Sequence, residues 1–307
     1  MSDNLIWVRG EIIPQSRATV NVLSPMAQFG LNVFEGVRCY WNEDRGELYA
    51  FRLHEHLDRL MQSCRLLRLE SPYTPQQIEG WLGEVMAANG FLGDAAVRIT
   101  IFVDGEGTWN SSEPVSMLIA PILRQRTNTV KMPAYRACVS SWQRINDNAM
   151  PPRAKVGANY INGRYAYLQA KQDGYDLPIF LGQDGKVSES SGACLLMVRN
   201  GTLVTPPATS SILESITRET VMIQAREMGF DVQERPIDRS ELYLADEVFL
   251  CGTAAELSPI VSVDGYEMNG GRPGPVTTRL LNAYHNVVSG KDPNDHAHWR
   301  TLVNSRG

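Results

Sequence analysis

Hydrophobic and polar positions fall into two textures along this 307-residue chain. In the first third, Leu5 to Ile13 is a strand-like run broken at Arg9-Gly10. Val33 to Phe51 holds two more such runs around a polar turn, Asn42-Glu43-Asp44-Arg45-Gly46. The period then changes. Leu53, Leu57, Leu60, Met61, Cys64 and Leu67 recur at helical spacing. Thr74-Pro75 opens a second helix carrying Ile78, Trp81, Leu82, Val85 and Met86, closed near Asn89-Gly90. Two strands follow, Ala96 to Val103 and Val115 to Ile122. Leu123 to Met132 is polar and aperiodic and predicts a linker. Beyond it, Asp184-Gly185, Asn200-Gly201 and Asp264-Gly265 mark hairpins, because these residues tolerate positive φ. Helical stretches interrupt them, from about Asn159 to Lys171, Thr217 to Met228 and Pro275 to Val288. The pattern predicts an α/β (α+β) chain with a small N-terminal α/β domain over 1–122, a linker loop over 123–132 and a large C-terminal domain over 133–307.

Composition narrows the function. With 29 Lys plus Arg against 34 Asp plus Glu, the net charge is −5, which gives no electrostatic reason to expect nucleic acid. The 43 % hydrophobic and 21 % charged content argues for a folded chain rather than a disordered one. The unbroken apolar stretches, such as Met117 to Ala120, are far short of the roughly 20 residues of a spanning helix. Met1-Ser2-Asp3-Asn4 lacks the basic and apolar regions of a signal peptide. The five cysteines (Cys39, Cys64, Cys138, Cys194, Cys251) are scattered and odd in number, as expected of free thiols in a reducing, cytoplasmic setting. Among the five histidines no HExxH occurs, and no metal site is predicted. Only five lysines exist, at 131, 155, 171, 186 and 291, so chemistry that needs an amine has few candidates.

Four clusters carry candidate chemistry, each with a plainer reading beside it. Arg153 to Tyr160 sets Lys155 among small residues ahead of a helix. Such a lysine, partly desolvated, becomes nucleophilic enough for a Schiff base, although a surface lysine at a helix start fits the same residues. Gly185 to Gly192 puts Glu189 in a strand, on one face with Val187, where a carboxylate needs a cationic partner such as a protonated pyridine nitrogen; a solvated hairpin glutamate is the alternative. Ser215-Ile216-Thr217-Arg218 opens an amphipathic helix whose first N–H groups suit a phosphate, or is an ordinary N-cap. Cys251 to Glu256 follows a strand with Gly, Thr and Ala, leaving N–H groups for an anion. It is not a GxxxxGK[ST] loop, and no GxGxxG occurs, so neither nucleotide device is present.

Taken in order, these clusters resemble the fold-type-IV (class IV) pyridoxal-phosphate aminotransferases, most closely the bacterial branched-chain amino acid aminotransferases. The matching words span nearly the whole chain: Val33 to Tyr40, His56 to Leu60, Ala154-Lys155 through Asn159-Tyr160, Ser188-Glu189, Ile216-Thr217-Arg218, Tyr243 to Phe249 and Gly252 to Glu256. The resemblance implies a two-domain fold with a pseudo-barrel C-terminal domain and a site that borrows residues from a second subunit, hence at least a homodimer. It implies that Lys155 is the catalytic lysine, holding pyridoxal 5′-phosphate and shuttling a proton. It gives Glu189 to the pyridinium nitrogen, Tyr160 to the phenolic oxygen and Leu213 to the ring face. Arg59, the Ile216 and Thr217 backbone and the Thr253 hydroxyl go to the phosphate. The Ala254 and Ala255 amides, supported by Arg98, face the substrate carboxylate, and Phe34 and Gly36 line the substrate side. The implied partners are small-molecule amino acids and 2-oxo acids. Arg38 is open between a structural salt bridge and a site entrance. Asp246 and Glu247 read as structural, and Lys186 as solvated.

The chain departs from the branched-chain pattern on the substrate side. Ala96 and Phe29 stand where tyrosines are usual, Cys194 interrupts the usual Gly-Glu-Asn-Leu-Phe, Leu213-Glu214-Ser215 replaces Leu-Pro-Gly, and Leu123-Arg124-Gln125-Arg126 replaces interdomain aromatics. An altered substrate pocket is expected, with Arg124 or Arg126 offering charge to a polar substrate. Within the same fold, a D-amino-acid aminotransferase or an aminodeoxychorismate-lyase-like enzyme is the alternative.

Overall fold

A computed structural model describes residues 3–291 and 295–305. Met1 and Ser2 of the N-terminal stretch lie outside the described residues. The chain forms two compact units: Met1–Arg126, Ala154–Ala158 and Asn286–Gly307 make the first, Thr127–Arg153 and Asn159–His285 the second. The sequence-based division runs straight through 133–307. Here the chain instead re-enters unit 1 twice, because each returning segment adds to a strand already there.

Unit 1 is a seven-stranded antiparallel sheet. A hairpin, β1 (Leu5–Val8) and β2 (Glu11–Pro14), turns at Arg9 and Gly10, both at positive φ. A short helix α1 (Pro25–Phe29) precedes β3 (Asn32–Asn42) and β4 (Glu47–Phe51). Two helices follow, α2 (Leu53–Leu67) and α3 (Pro75–Asn89), the latter opened by a full capping box between Thr74 and Gln77. Next come β5 (Ala95–Val103) and β6 (Val115–Leu123). The strand order is C-terminal strand, β4, β3, β5, β6, β1, β2. That C-terminal strand, Arg300–Ser305, pairs with β4 and had no signal in its polar sequence. Leu53, Leu57, Leu60, Ile78, Leu82 and Met86 are all wholly buried in one cluster with Val33, Val37, Val97 and Ile99, so the helical stripes read from the sequence seat α2 and α3 on the sheet.

Unit 2 is a mixed sheet: β7 (Tyr135–Gln143), β8 (Leu177–Leu181), β9 (Cys194–Arg199), β10 (Thr202–Thr205), β11 (Val232–Glu234), β12 (Glu247–Gly252) and β13 (Glu256–Val263), with β14 (Tyr266–Glu267) beside β13. The order is β11-β10-β9-β12-β13-β7-β8. Its helices are α4 (Tyr160–Gln172), α5 (Ile216–Glu227), α6 (Arg239–Leu242) and, as far as His285, α7 (Pro275–Val288). The two ends of the sheet are joined by residues 186–189. Ser188 N–H donates to Phe180 of β8, and Val187 N–H donates to Ile237, just past β11. The sheet therefore curls back on itself, as the pseudo-barrel expectation requires. Val187, Leu195, Met197, Val204, Ile237, Val248, Leu250 and Ile260 fill its interior. Asn200-Gly201 and Asp264-Gly265 form the expected hairpins, all four residues at positive φ. Glu247 is structural, as expected: its buried carboxylate accepts from the Val276 and Thr277 N–H groups and caps α7. Asp246 accepts from the Asn200 N–H, and Lys186 pairs with Asp238 at the surface.

Candidate functional site

In unit 1 the residues with expected roles gather on β3 and its neighbours. The segment Ala154–Ala158 lies along the start of β3. Phe34 N–H donates to the Lys155 carbonyl at 3.0 Å, Val33 bridges Val156, and Lys155 N–H donates to Ser63 Oγ of α2 at 3.0 Å. The small residues around Lys155 have a packing reason. A Cβ on Gly157 would sit 2.7 Å from the Asn32 side chain, and Ala158 is packed against Gly30. Phe34 carries two cations on its ring, Lys155 Nζ at 5.1 Å and the Arg98 guanidinium at 4.1 Å from the centroid. Gly36 faces Arg98 across the β3–β5 pair, and Arg38 faces Ala96. A Cβ at Gly36 would meet nothing within 4 Å.

Arg59, on α2, is fixed by a wholly buried carboxylate. Its Nε and Nη2 donate to Glu35 at 2.7 and 2.9 Å, and His56 Nδ1 lies 2.7 Å from the same carboxylate. Burial opposes ionisation of Glu35, but Arg59 and His56 outweigh it and hold the carboxyl well below its ordinary value. Burial in turn holds His56 below its ordinary value, against the pull of Glu35. Sequence reading missed Glu35 and His56, although both fall inside matching words. Arg38, left open above, places its guanidinium over Tyr40 and donates to the Arg124 carbonyl. Arg126 is paired with Asp94 at 2.6 Å and donates to the Trp41 carbonyl, which leaves Arg124 as the other arm of that expectation.

In unit 2 the start of α4, the loop after Glu189 and the loop after β12 meet through close backbone approaches, and Leu213, just before α5, is tied to them by the Glu189 side chain. Tyr160 is the first residue of α4. One turn on, a Cβ at Gly163 would sit 2.8 Å from the Ser191 carbonyl, and Ser191 Oγ donates to the Gly163 carbonyl at 2.9 Å. The helix is thus seated on the loop that follows Glu189. Glu189 itself is not inside a strand, contrary to expectation. It lies just past the bridge at Lys186 and Val187, because the sheet is closing there rather than running on. Its side chain is 4 % exposed and its Oε1 is 2.6 Å from Arg144 Nη2. Oε1 also accepts from the Leu213 N–H at 3.3 Å, and the Cys194 thiol donates to Oε2 at 3.4 Å. Burial drives the Cys194 thiol well above its ordinary value, so it is a neutral donor. Arg144 was missed: it sits alone in a polar stretch, 45 residues before its partner, and nothing local marks it.

Ile216 and Thr217 begin α5. Ser215 Oγ caps the helix by accepting from the Arg218 N–H, so the plainer N-cap reading is correct, and the Ile216 and Thr217 amides stand where the helix dipole favours an anion. Thr253, Ala254 and Ala255 form the three-residue loop between β12 and β13. A Cβ at Gly252 would meet the Gly192 carbonyl at 3.5 Å, which brings this loop beside the Glu189 loop. Unit 2 therefore gathers Tyr160, Glu189, Leu213, the α5 start and the Thr253 loop. Unit 1 gathers Phe34, Gly36, Arg59, Arg98 and Lys155.

Residues 32–263 match the family described as Amino-transferase class IV. The chain belongs to the class IV aminotransferases. These are enzymes of pyridoxal-phosphate chemistry, and the donors that unit 2 holds by itself fit the group: a buried carboxylate suits a protonated ring nitrogen, and helix-start amides suit a phosphate dianion. A probable branched-chain-amino-acid aminotransferase of Aquifex aeolicus (strain VF5) is 36 % identical over 292 residues, covering 94 % of each chain. The branched-chain aminotransferase of Thermobaculum terrenum in its PLP form is similar in structure, with TM-score 0.92, 41 % identity and coverage of 99 % of this chain and 100 % of that one. That of the archaeon Thermoproteus uzoniensis, solved with norvaline, has TM-score 0.91 at 38 % identity, with coverage of 98 % and 99 %. These relatives favour the branched-chain resemblance over the D-amino-acid or lyase alternative. Among the described residues of this aminotransferase, no helix is long and apolar enough to cross a membrane.

Proposed function

We propose that this aminotransferase moves an amino group from an L-amino acid, with L-glutamate as donor, to a 2-oxo acid in two successive half-reactions. Its substrate range differs from that of its branched-chain relatives. The observation that carries this reading is Glu189, a carboxylate shut away from water and paired with Arg144 at 2.6 Å. A charge maintained in that position serves a cationic ligand group better than it serves packing.

When bound, pyridoxal 5′-phosphate supplies an aldehyde carbon that takes an amine and a ring that withdraws electrons. The chain does the rest. Lys155 Nζ would hold the group covalently and would carry the proton from the substrate Cα to the cofactor's aldehyde-derived carbon, the reverse transfer serving the second half-reaction. Glu189 keeps the ring nitrogen protonated, Tyr160 donates to the phenolic oxygen, and Leu213 packs on the ring face. Arg59, steadied by Glu35, joins the Ile216 and Thr217 amides and the Thr253 hydroxyl in holding the phosphate. The Ala254 and Ala255 amides, with Arg98, receive the substrate carboxylate, and Phe34 and Gly36 border the side-chain space. Ala96 enlarges that space beside Arg38. The enzyme acts in the cytoplasm as a homodimer or higher homo-oligomer, and its interdomain linker lies within 123–132.

The test is a half-reaction with L- and D-glutamate, followed by a screen of 2-oxo acids against the competent donor. Amino transfer from the L-donor alone supports the reading. Turnover of the D-donor alone, or none with any pair, contradicts it.

A further inference from the structure

The loop that carries Thr253, Ala254 and Ala255 is held from behind by a residue with an unusual conformation. β12 and β13 pair as far as Gly252 opposite Glu256, which leaves a three-residue connection. Such loops close through a residue in the left-handed region, where glycine is the rule because a side chain is strained there. Here the position is Glu256, at φ 49. It is also 0 % exposed, so the chain bears a left-handed backbone and a buried carboxylate at one site. Packing alone would favour glycine for the backbone or an apolar side chain for the interior.

The carboxylate has partners that explain its retention. Oε2 accepts from the Thr127 N–H at 2.6 Å and lies 3.2 Å from His285 Nε2 of α7. Thr127 belongs to the segment by which the chain enters unit 2, and α7 is capped by Glu247 at the far end of β12. Ser258 Oγ donates to the Ala255 carbonyl at 3.0 Å and ties the loop at its last residue. We propose that Glu256 is a positioning residue whose carboxylate clamps the 253–255 loop to Thr127 and His285. The Thr253 hydroxyl and the Ala254 and Ala255 amides then meet their anions without rearranging. This rests on the roles given to that loop under the proposed function.

The test uses the full chain with Glu256→Gln, Glu256→Ala, Glu256→Gly and Thr127→Pro. The last deletes the donor N–H without touching the hairpin. Two quantities are read: the Kd for pyridoxal phosphate, titrated into the cofactor-free chain by tryptophan fluorescence, and the KM–kcat split for the 2-oxo acid. Glu256→Gln retains an acceptor for Thr127 and stays within about threefold of wild type. Glu256→Ala, Glu256→Gly and Thr127→Pro raise both Kd and KM about tenfold, with kcat within about threefold, as loss of a charge-assisted hydrogen bond predicts. Glu256→Gly melts above Glu256→Ala, because glycine relieves the backbone while neither keeps the tether. Wild-type Kd and KM in folded Glu256→Gly or Thr127→Pro overturn the inference alone. A wild-type chain that takes up no pyridoxal phosphate overturns the proposed function and the inference with it.

Discussion

Replacing Arg144 by methionine strips Glu189 of its counter-ion. The two groups are 2.6 Å apart, with side chains 10 % and 4 % exposed, so solvent screens the pair little. At a charge separation of about 4 Å and an effective dielectric of about 20, the attraction is about 4 kcal/mol. Removing one member of a buried pair costs about 3–5 kcal/mol, because the survivor is left unpaired. Urea unfolding of the cofactor-free Arg144→Met chain is therefore expected to show a loss of that size. With pyridoxal phosphate bound, the protonated ring nitrogen supplies Glu189 with a replacement partner. The loss in the loaded protein should then be smaller by at least about 1.4 kcal/mol, a tenfold gain in relative cofactor affinity through linkage. Arg144→Lys, which keeps the charge, should fall between wild type and methionine. Equal losses with and without cofactor would refute the assignment of Glu189 to the ring nitrogen.

Other consequences follow from single contacts. Gly163→Ala adds a Cβ 2.8 Å from the Ser191 carbonyl, a backbone atom with little freedom to yield. Overpacking of about 1–3 kcal/mol should exceed the roughly 1 kcal/mol that alanine gains in a helix, and a raised melting temperature would show the close approach to be harmless. His56 and Glu35 are both held below their ordinary values of 6.5 and 4.5, so each contributes stability that is present above that value and lost as pH falls. Stability should decline below about pH 6.5 and again below about pH 4.5, and His56→Asn should flatten the first stage in pH-dependent urea titrations. Ala96→Tyr should raise kcat/KM toward branched 2-oxo acids, and no gain would make the account of the enlarged pocket wrong.

What the sequence disclosed, and what it hid, divides along the range of the interactions. The α2 and α3 stripes, the Asn200-Gly201 and Asp264-Gly265 turns and the Ser215 cap are local, set within one turn or one hairpin, and they were legible. The Thr253–Ala255 loop and Lys155 were legible only as members of a collinear series, since each alone has an ordinary reading. Arg144, Glu35 and Glu256 were not. Their significance lies in partners 45, 24 and 129 residues away, Glu189, Arg59 and Thr127. The same holds for the return of Ala154–Ala158 and Arg300–Ser305 to unit 1. Segments of five and six residues become strand-like or strands there because an existing edge accepts them, not because their own pattern asks for it. Glu189 illustrates the converse error. Alternation with Val187 suggested a regular strand, whereas the pairing with β8 turns irregular there: Ser188 N–H donates to the Phe180 carbonyl and Phe180 N–H donates to the Glu189 carbonyl.

Five lysines make the decisive measurement simple. The purified chain is incubated with pyridoxal 5′-phosphate, reduced with borohydride, digested and mapped by mass spectrometry. The account predicts one phosphopyridoxyl group, on Lys155, absent from Lys155→Ala. No stable label, or a label on Lys131, Lys171, Lys186 or Lys291 instead, would contradict it.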